Sequence, residues 1–149
     1  MINPFSSLES PHFPVMLEEI IKACSPDKGG NFVDCTFGGG SYSQALLKFP
    51  NTKVVALDRD ISVLEKAKKI AEKNSKRFIF YNERFSNLDK VLDKNFNADA
   101  IIFDLGISSL QLKDFSRGFS FKSKEKIDMN MGLSASEFFS RQSEKGCFQ

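Results

Sequence analysis

The chain has 149 residues, of which 41% are hydrophobic and 27% are charged. This length allows one modest domain, and this composition is typical of a globular protein and excludes a disordered or membrane-embedded chain. The formal net charge of +2 excludes a strongly basic protein that binds nucleic acid by bulk charge alone.

Eight elements are predicted from apolar spacing after a polar arm at residues 1–13. In chain order they are a helix at 15–24, a strand at 31–35, a helix at 41–49, a strand at 52–58, a helix at 61–74, a strand at 77–82, a helix at 85–95 and a strand at 98–106. Ser41 is predicted to cap the second helix. Four lysines of the third helix are predicted to face solvent, namely Lys66, Lys68, Lys69 and Lys73. From residue 106 onward no periodicity is clear, which is typical of a functional or disordered loop.

The alternation of strands and helices predicts a parallel α/β sheet with helices on both faces. One domain is expected to span residues 14–149. Ligands of such sheets bind beyond the carboxyl ends of the strands, and three predicted strand ends carry an acid, namely Asp34, Asp58 and Asp104.

The three cysteines do not indicate a disulfide framework or a zinc site. Cys24, Cys35 and Cys147 are odd in number and have no CxxC spacing, so no metal is predicted and a reducing, cytoplasmic location is expected. The first residues contain no targeting signal, and no apolar run approaches the ~20 residues of a membrane span, so no membrane contact is expected.

The stretch "VDCTFGGGSYS" at residues 33–43 places three glycines between a strand and a helix. Glycines here let the backbone approach a ligand where a Cβ would not fit. The dinucleotide fingerprint G-x-G-x-x-G is matched by Gly38 and Gly40, but Ser43 occupies its third glycine position. The related pattern of S-adenosylmethionine enzymes, D-x-G-x-G-x-G, is matched by Asp34 and both glycines, with Thr36 at the first glycine position.

Two acids help to choose between these cofactors. Asp34, just before the loop, would repel a pyrophosphate but could hold the ammonium group of S-adenosylmethionine directly or through water. Asp58 lies 20 residues after Gly38, where an acid can accept the ribose hydroxyls of either cofactor. S-adenosylmethionine is therefore the predicted cofactor, and an NAD-dependent oxidoreductase stays as the less favoured alternative.

Six stretches occur in an order that resembles one family. They are "HFPVM" at 12–16, "VDCTFGGGSYS" at 33–43, "ALDRD" at 56–60, "DLGISSLQL" at 104–112, "RGFSF" at 117–121 and "IDMNM" at 127–131. These motifs are similar to those of the bacterial RsmH (MraW) family of small-subunit ribosomal RNA cytosine-N(4) methyltransferases. The resemblance covers residues 12–140 and implies a Rossmann-like S-adenosylmethionine fold with an inserted helical domain.

The resemblance also implies site residues. Cofactor-binding positions fall on Gly40, Ser41, Tyr42, Asp58, Phe85, Asp104 and Gln111, in addition to Asp34 and Gly38 from the loop pattern. Asp58 would accept hydrogen bonds from the ribose hydroxyls, Phe85 would flank the adenine, and Asp104 would lie nearer the methionyl end. Small-subunit ribosomal RNA is the implied partner, and pairing with a second copy stays open.

Some positions depart from the family. The loop more often has Gly-Gly-His where this chain has Gly40, Ser41 and Tyr42, and Asn130 stands where arginine is common. Family members are about twice as long, so we expect a partial Rossmann-like fold of about four parallel strands, incomplete at the C-terminus and without the inserted helical domain. A truncated, inactive fragment that at most binds S-adenosylmethionine is therefore a further alternative.

Methyl transfer to a cytosine amine needs positioned hydrogen-bond acceptors more than a dedicated base. The predicted catalytic residues are Asp104, Ser108 and Ser109, in the segment that follows the fourth strand. Downstream, the mixture of Phe115, Phe119 and Phe121 with Lys113, Arg117 and Lys122 is compatible with a single-stranded RNA groove, although packing of these rings on the core is the simpler interpretation.

Overall fold

The computed structural model describes residues 16–107, 111, 112, 114 and 115. The chain divides into two units, Met1–Leu110 and Gln111–Gln149, and the fold below is that of the first unit. The predicted arm at residues 1–13 lies outside the described residues, and the predicted domain limit at 14–149 stays a prediction.

Helices and strands alternate in the first unit as the apolar spacing predicts. In chain order they are α1 (Leu17–Cys24), β1 (Gly30–Asp34), α2 (Ser41–Leu47), β2 (Thr52–Leu57), α3 (Leu64–Lys73), β3 (Phe78–Tyr81), α4 (Leu88–Val91) and β4 (Ala100–Ile102). Single 3₁₀ turns lie at Pro26–Lys28, Ile61–Val63 and Phe85–Asn87. The predicted order of elements is therefore confirmed, with shorter bounds for most of them.

The sheet is parallel throughout, and its strand order is β3-β2-β1-β4. The chain builds outward from β1 to β3 and then crosses to the other side of β1 to form β4. This reversal creates a switch point between β1 and β4, where open α/β sheets bind ligands beyond the strand ends. The topology confirms the predicted fold, a partial Rossmann-like α/β sheet.

One face of the sheet carries the larger core. Its strand residues pack against apolar side chains of α1, α2 and α3. Members of this cluster include Leu17, Ile21, Phe32, Phe37, Ala45, Leu46, Val54, Ala56, Ala67, Ile70, Phe78 and Ile102. Burial of these side chains supplies the main driving force for folding of the unit.

The opposite face is only partly covered. Val33 and Val55 are buried there beneath partly buried side chains of and around α4. Ile79 pairs with Val55, and Ile101 pairs with Val33, so both isoleucines lie on this same face. They are 51% and 47% exposed, and they lie on β3 and β4, the two outer strands of the described sheet.

The start of α2 differs from its prediction. The residue before the helix is Gly40, which has a left-handed backbone (φ 71°, ψ 20°) and makes no side-chain capping bond. Ser41 is the first helical residue and not the cap. A left-handed turn favours glycine, so Gly40 takes the cap position and the helix begins one residue earlier than a cap at Ser41 would place it.

Candidate cofactor site

Three acids lie at the carboxyl ends of neighbouring strands. Asp34 is the last residue of β1, Asp58 follows β2 directly, and Asp104 lies two residues beyond the end of β4. Because these strands are parallel and adjacent, their carboxyl ends meet at one edge of the sheet. The structure therefore places the three predicted acids at the edge where a ligand is expected.

The glycine loop crosses this edge. The Phe37 N–H donates to the Leu57 carbonyl at 2.9 Å, which ties the loop to β2. Gly38 and Gly40 both have positive φ, 46° and 71°. A Cβ on Gly40 would come within 2.8 Å of the Phe37 ring, whereas a Cβ on Gly39 would meet nothing nearer than 3.9 Å. Gly40 is thus required by packing, and Gly39 leaves backbone open to a ligand.

Asp58 holds the loop while keeping part of its surface accessible. Its Oδ2 accepts the Gly38 N–H at 2.7 Å, and its Oδ1 accepts the Asp60 N–H at 2.9 Å. Burial raises the pKa of this carboxyl, although the two backbone bonds oppose the rise. Since each carboxylate oxygen can accept a second hydrogen bond, Asp58 keeps capacity for hydroxyl donors.

Asp34 is fully buried, with an exposed fraction of 0%. Its Oδ2 accepts the Ser43 hydroxyl at 2.7 Å, and its Oδ1 accepts the Thr36 N–H at 3.3 Å. Burial raises the pKa of this carboxyl to about 6. Both carboxylate oxygens of Asp34 therefore face donors of the chain itself. Neither oxygen is exposed for direct contact with a ligand ammonium, and that contact stays a prediction.

Thr36 and Tyr42 connect the loop region to the end of β4. The Asp104 N–H donates to the Thr36 Oγ1 at 2.7 Å, a bond that glycine at position 36 could not make. The Tyr42 side chain is buried in the larger core. Burial and the neighbouring Asp104 carboxylate raise the pKa of the Tyr42 hydroxyl to about 12, so Tyr42 stays a neutral phenol at physiological pH.

Two phenylalanine rings lie in the segments that follow β3 and β4. The rings of Phe85 and Phe103 meet edge to face, with centroids 5.5 Å apart and planes at 88°. Their side chains are 45% and 49% exposed, so each ring keeps apolar surface available. Phe103 was not predicted as a site residue, because an apolar residue at a strand end indicates only packing.

The helical spacing predicts that Lys66 faces solvent with the other lysines of α3, but Lys66 is half-buried. Its Nζ lies 3.9 Å from the position of a Cβ on Gly39, beside the glycine loop. Burial lowers the pKa of this amine. Helical spacing alone could not find this contact, because it depends on how α3 packs against Gly39, which lies 27 residues earlier in the chain.

The remaining predicted residues lie elsewhere. Gln111 belongs to the second unit, where its side chain is buried. Ser108, Ser109 and the downstream RNA-groove residues other than Phe115 lie outside the described residues, and Phe115 is exposed in the second unit. Cys35 is buried, as a small apolar side chain would be.

Metal and membrane sites were searched over the described ranges. Across residues 16–107 and the four described residues that follow, no three His, Cys, Asp or Glu side chains lie together as a metal site. Within the same residues, no helix has the length and apolar character needed to cross a membrane.

Comparison with known proteins shows the family to which the chain belongs. The sequence profile of the MraW methylase family matches residues 9–145. The chain belongs to the MraW methylase family. The match includes the glycine loop, all three strand-end acids and the segment after β4, so the resemblance seen in the ordered motifs is confirmed.

Curated relatives within the MraW methylase family carry one name, ribosomal RNA small subunit methyltransferase H. The protein of Rickettsia bellii is 45% identical over 142 residues, which cover 93% of this chain and 46% of the relative. That of Rickettsia massiliae is 45% identical over 138 residues, covering 90% and 44%. That of Zymomonas mobilis is 41% identical over 144 residues, covering 93% and 43%. The chain thus spans about half the length of the curated relatives it matches.

Proposed function

We propose that this member of the MraW methylase family binds S-adenosylmethionine and transfers its methyl group to the exocyclic amino nitrogen of a cytosine in small-subunit ribosomal RNA. The observation that carries the proposal is the Asp58 carboxylate, which lies at the end of β2 and accepts the Gly38 N–H at 2.7 Å beside the glycine loop. The names of the relatives support ribosomal RNA as the substrate class.

The site residues fit an adenosine group. Asp58 is half-buried, and each of its carboxylate oxygens can accept a further hydrogen bond from a ribose hydroxyl. Phe85 is 45% exposed and is proposed to pack against the adenine. The open backbone at Gly39 allows close approach of the ligand. Ser41, Tyr42 and Gln111 are proposed as further cofactor positions from their place in the family motif.

The same features favour S-adenosylmethionine over NAD. Three carboxylates line the strand ends, and a pyrophosphate placed among them would be repelled. Ser43 occupies the position of the third fingerprint glycine and is hydrogen-bonded to Asp34. Both observations speak against a dinucleotide at this loop.

Methyl transfer to a cytosine amine depends mainly on how the reacting groups are positioned. A cytosine amine is a weak nucleophile, because its nitrogen lone pair is shared with the ring. S-adenosylmethionine, when bound, would supply a methyl group on a positively charged sulfur. Transfer of that methyl to the amine would break its bond to sulfur, leave S-adenosylhomocysteine and release one N–H proton to solvent. Asp104 is exposed at the end of β4 and is proposed to accept a hydrogen bond from the amine. Ser108 and Ser109 are proposed as additional acceptors, and the base must be single-stranded or turned out of its stack.

Binding is tested by calorimetric titration of the chain with S-adenosylhomocysteine and with NAD. Heat with S-adenosylhomocysteine alone is the expected result, and heat with NAD alone would refute the cofactor assignment. Asp58→Asn replaces one acceptor oxygen with an amide nitrogen and should weaken S-adenosylhomocysteine binding about tenfold or more. Asp89→Asn, an exposed change on α4, is the matched control and should leave the affinity unchanged.

Transfer is tested separately with labelled S-adenosylmethionine and small ribosomal subunits that lack the modification. Label at the N4 position of a cytosine is expected, and digestion of the RNA to nucleosides identifies the modified atom. The other outcome of this experiment is cofactor binding without transfer. Binding of S-adenosylhomocysteine without label in the RNA would correspond to this outcome.

A further inference from the structure

Asp34 and Ser43 form a hydrogen-bonded pair in the interior of the first unit. Both residues have an exposed fraction of 0%. The Ser43 Oγ donates to the Asp34 Oδ2 at 2.7 Å, and the other carboxylate oxygen accepts the Thr36 N–H at 3.3 Å. Neither oxygen of Asp34 is therefore directed to solvent.

This pair closes the glycine loop. Asp34 is the last residue of β1, and Ser43 lies in the first turn of α2, so their bond joins the two ends of the segment that contains all three glycines. In the dinucleotide fingerprint, the glycine at the position of Ser43 serves close packing of the helix on the strand. Here a hydroxyl–carboxylate bond connects the helix to the strand instead.

A second carboxylate holds the middle of the loop. Asp58, at the end of β2, accepts the Gly38 N–H at 2.7 Å. The loop is thus attached to β2 through Asp58 and to β1 through the Asp34–Ser43 pair. Of these two carboxylates only Asp58 keeps exposed surface, so the two acids have different access to a ligand.

We propose that Ser43 is a positioning residue for cofactor binding, and that Asp34 acts through Ser43 by fixing the glycine loop rather than by contacting the ammonium group of S-adenosylmethionine. This inference rests on the proposed cofactor. Contact with an ammonium requires an accessible carboxylate oxygen, and both Asp34 oxygens face donors of the chain itself.

Two variants separate positioning from direct contact. Ser43→Ala removes the hydroxyl donor but leaves the Asp34 charge and the bond from the backbone N–H of residue 43 to Asp34. Asp34→Asn removes the charge and leaves an oxygen that can accept the Ser43 hydroxyl. Positioning predicts that Ser43→Ala raises the dissociation constant for S-adenosylhomocysteine about tenfold and that Asp34→Asn changes it less than about threefold. Direct contact with the ammonium predicts the reverse order.

Controls separate a local effect from loss of the fold. Ser75→Ala, an exposed serine after α3, should leave the affinity unchanged. Circular dichroism and thermal unfolding show whether each variant is folded. If Ser43→Ala does not fold, Asp34→Asn still decides, because a folded Asp34→Asn protein that has lost more than about tenfold in affinity overturns the inference.

Hydrogen exchange tests the inference without ligand. Ser43→Ala should speed exchange of the loop amides at residues 38–40 relative to those of β2, because the loop loses one attachment. Unchanged loop exchange in a folded Ser43→Ala protein would overturn the positioning role whatever the affinities are. If the wild-type chain binds no S-adenosylhomocysteine while its loop exchange responds to Ser43→Ala, the cofactor assignment fails, and the role of Ser43 in cofactor binding fails with it.

Discussion

The carboxyl of Asp34 shows how strongly burial outweighs local hydrogen bonds at a single residue. Hydrogen bonds from Ser43 and Thr36 favour its ionised form, yet the loss of hydration dominates and the Asp58 charge adds to it, so the pKa rises from 3.8 to about 6. The folded protein therefore holds this proton more tightly than the unfolded chain does.

Stability should consequently depend on pH in an unusual direction for an aspartate. Between pH 4 and pH 6 the folded state binds more protons at Asp34 than the unfolded state, so the free energy of unfolding falls as pH rises through this window. The pKa rises from 3.8 to about 6, and each pKa unit corresponds to about 1.36 kcal/mol. At neutral pH this group therefore lowers the free energy of unfolding by about 3 kcal/mol relative to its value below pH 4. Asp34→Asn should flatten the dependence, as measured by urea unfolding at half-unit pH steps. An Asn variant with the wild-type slope would contradict this account.

Lys66 places a cation beside the glycine loop. Its Nζ approaches Gly39, and its partial burial makes the charge more effective than that of an exposed lysine. If the proposed cofactor binds here, this amine is suited to attract the carboxylate of its amino acid.

Lys66→Ala should therefore weaken S-adenosylhomocysteine binding about three- to tenfold, whereas 5′-methylthioadenosine, which lacks the amino acid, should bind equally well to both proteins. Lys69→Ala removes an exposed lysine of the same helix and serves as the matched control. Equal effects on the two ligands in calorimetry would contradict an electrostatic contact with the carboxylate.

At the scale of elements, the entry into α2 depends on one backbone conformation. Gly40 adopts φ 71° and packs against the Phe37 ring, and its N–H closes a turn with the Phe37 carbonyl. The polar sequence "SYS" suggests a serine cap, but the loop must turn through the left-handed region before the helix begins.

Gly40→Ala should lower the free energy of unfolding by about 2 kcal/mol or more, because the added Cβ strains the left-handed backbone and comes within 2.8 Å of the Phe37 ring. Gly39→Ala adds the same methyl one residue earlier in open surroundings and should cost less than about 1 kcal/mol. Urea unfolding measures both values. Similar losses would show that packing around Gly40 does not determine the loop.

The helix predicted at residues 85–95 is much shorter in the structure. A 3₁₀ turn precedes α4, and Leu92 is already extended (φ −80°, ψ 139°). Asp93 then accepts the Asn95 N–H at 2.8 Å, a local bond that competes with helix continuation. Within the described residues, this short helix packs Leu88 and Val91 against the smaller cluster on that face.

At the scale of the whole molecule, that open face and the edge strand β4 have one consequence. Ile79, Ile101 and Phe103 expose about half of their side chains, and β4 pairs with β1 on only one side within the described sheet. Exposed apolar surface beside an unpaired strand edge promotes association between copies.

Replacement of Ile79 and Ile101 by threonine should reduce concentration-dependent association in sedimentation velocity and lower the fluorescence of a bound hydrophobic dye. Ile61→Thr changes an equally exposed isoleucine in the 3₁₀ turn before α3 and should have no effect on either measurement. Association that persists unchanged in the double variant would place the contact on another surface. The same sedimentation data test whether the chain pairs with a second copy.

Local patterns were sufficient for the order of elements and the parallel sheet. Apolar spacing located all four strands of the described residues, because a run of buried side chains is a local property of the sequence. The acids after β1, β2 and β4 and the glycines between β1 and α2 then indicated a nucleotide-like ligand, and ordered motifs indicated the family.

The tertiary structure alone decided which acid is accessible and which side chains meet. Asp34 and Asp58 are the same residue type after similar strands, yet one is fully buried against Ser43 and the other keeps exposed surface. The bond from the Asp104 N–H to Thr36 spans 68 residues. Such contacts depend on how α2 and the strand ends pack in three dimensions, and no local pattern of hydrophobicity or charge carries that information.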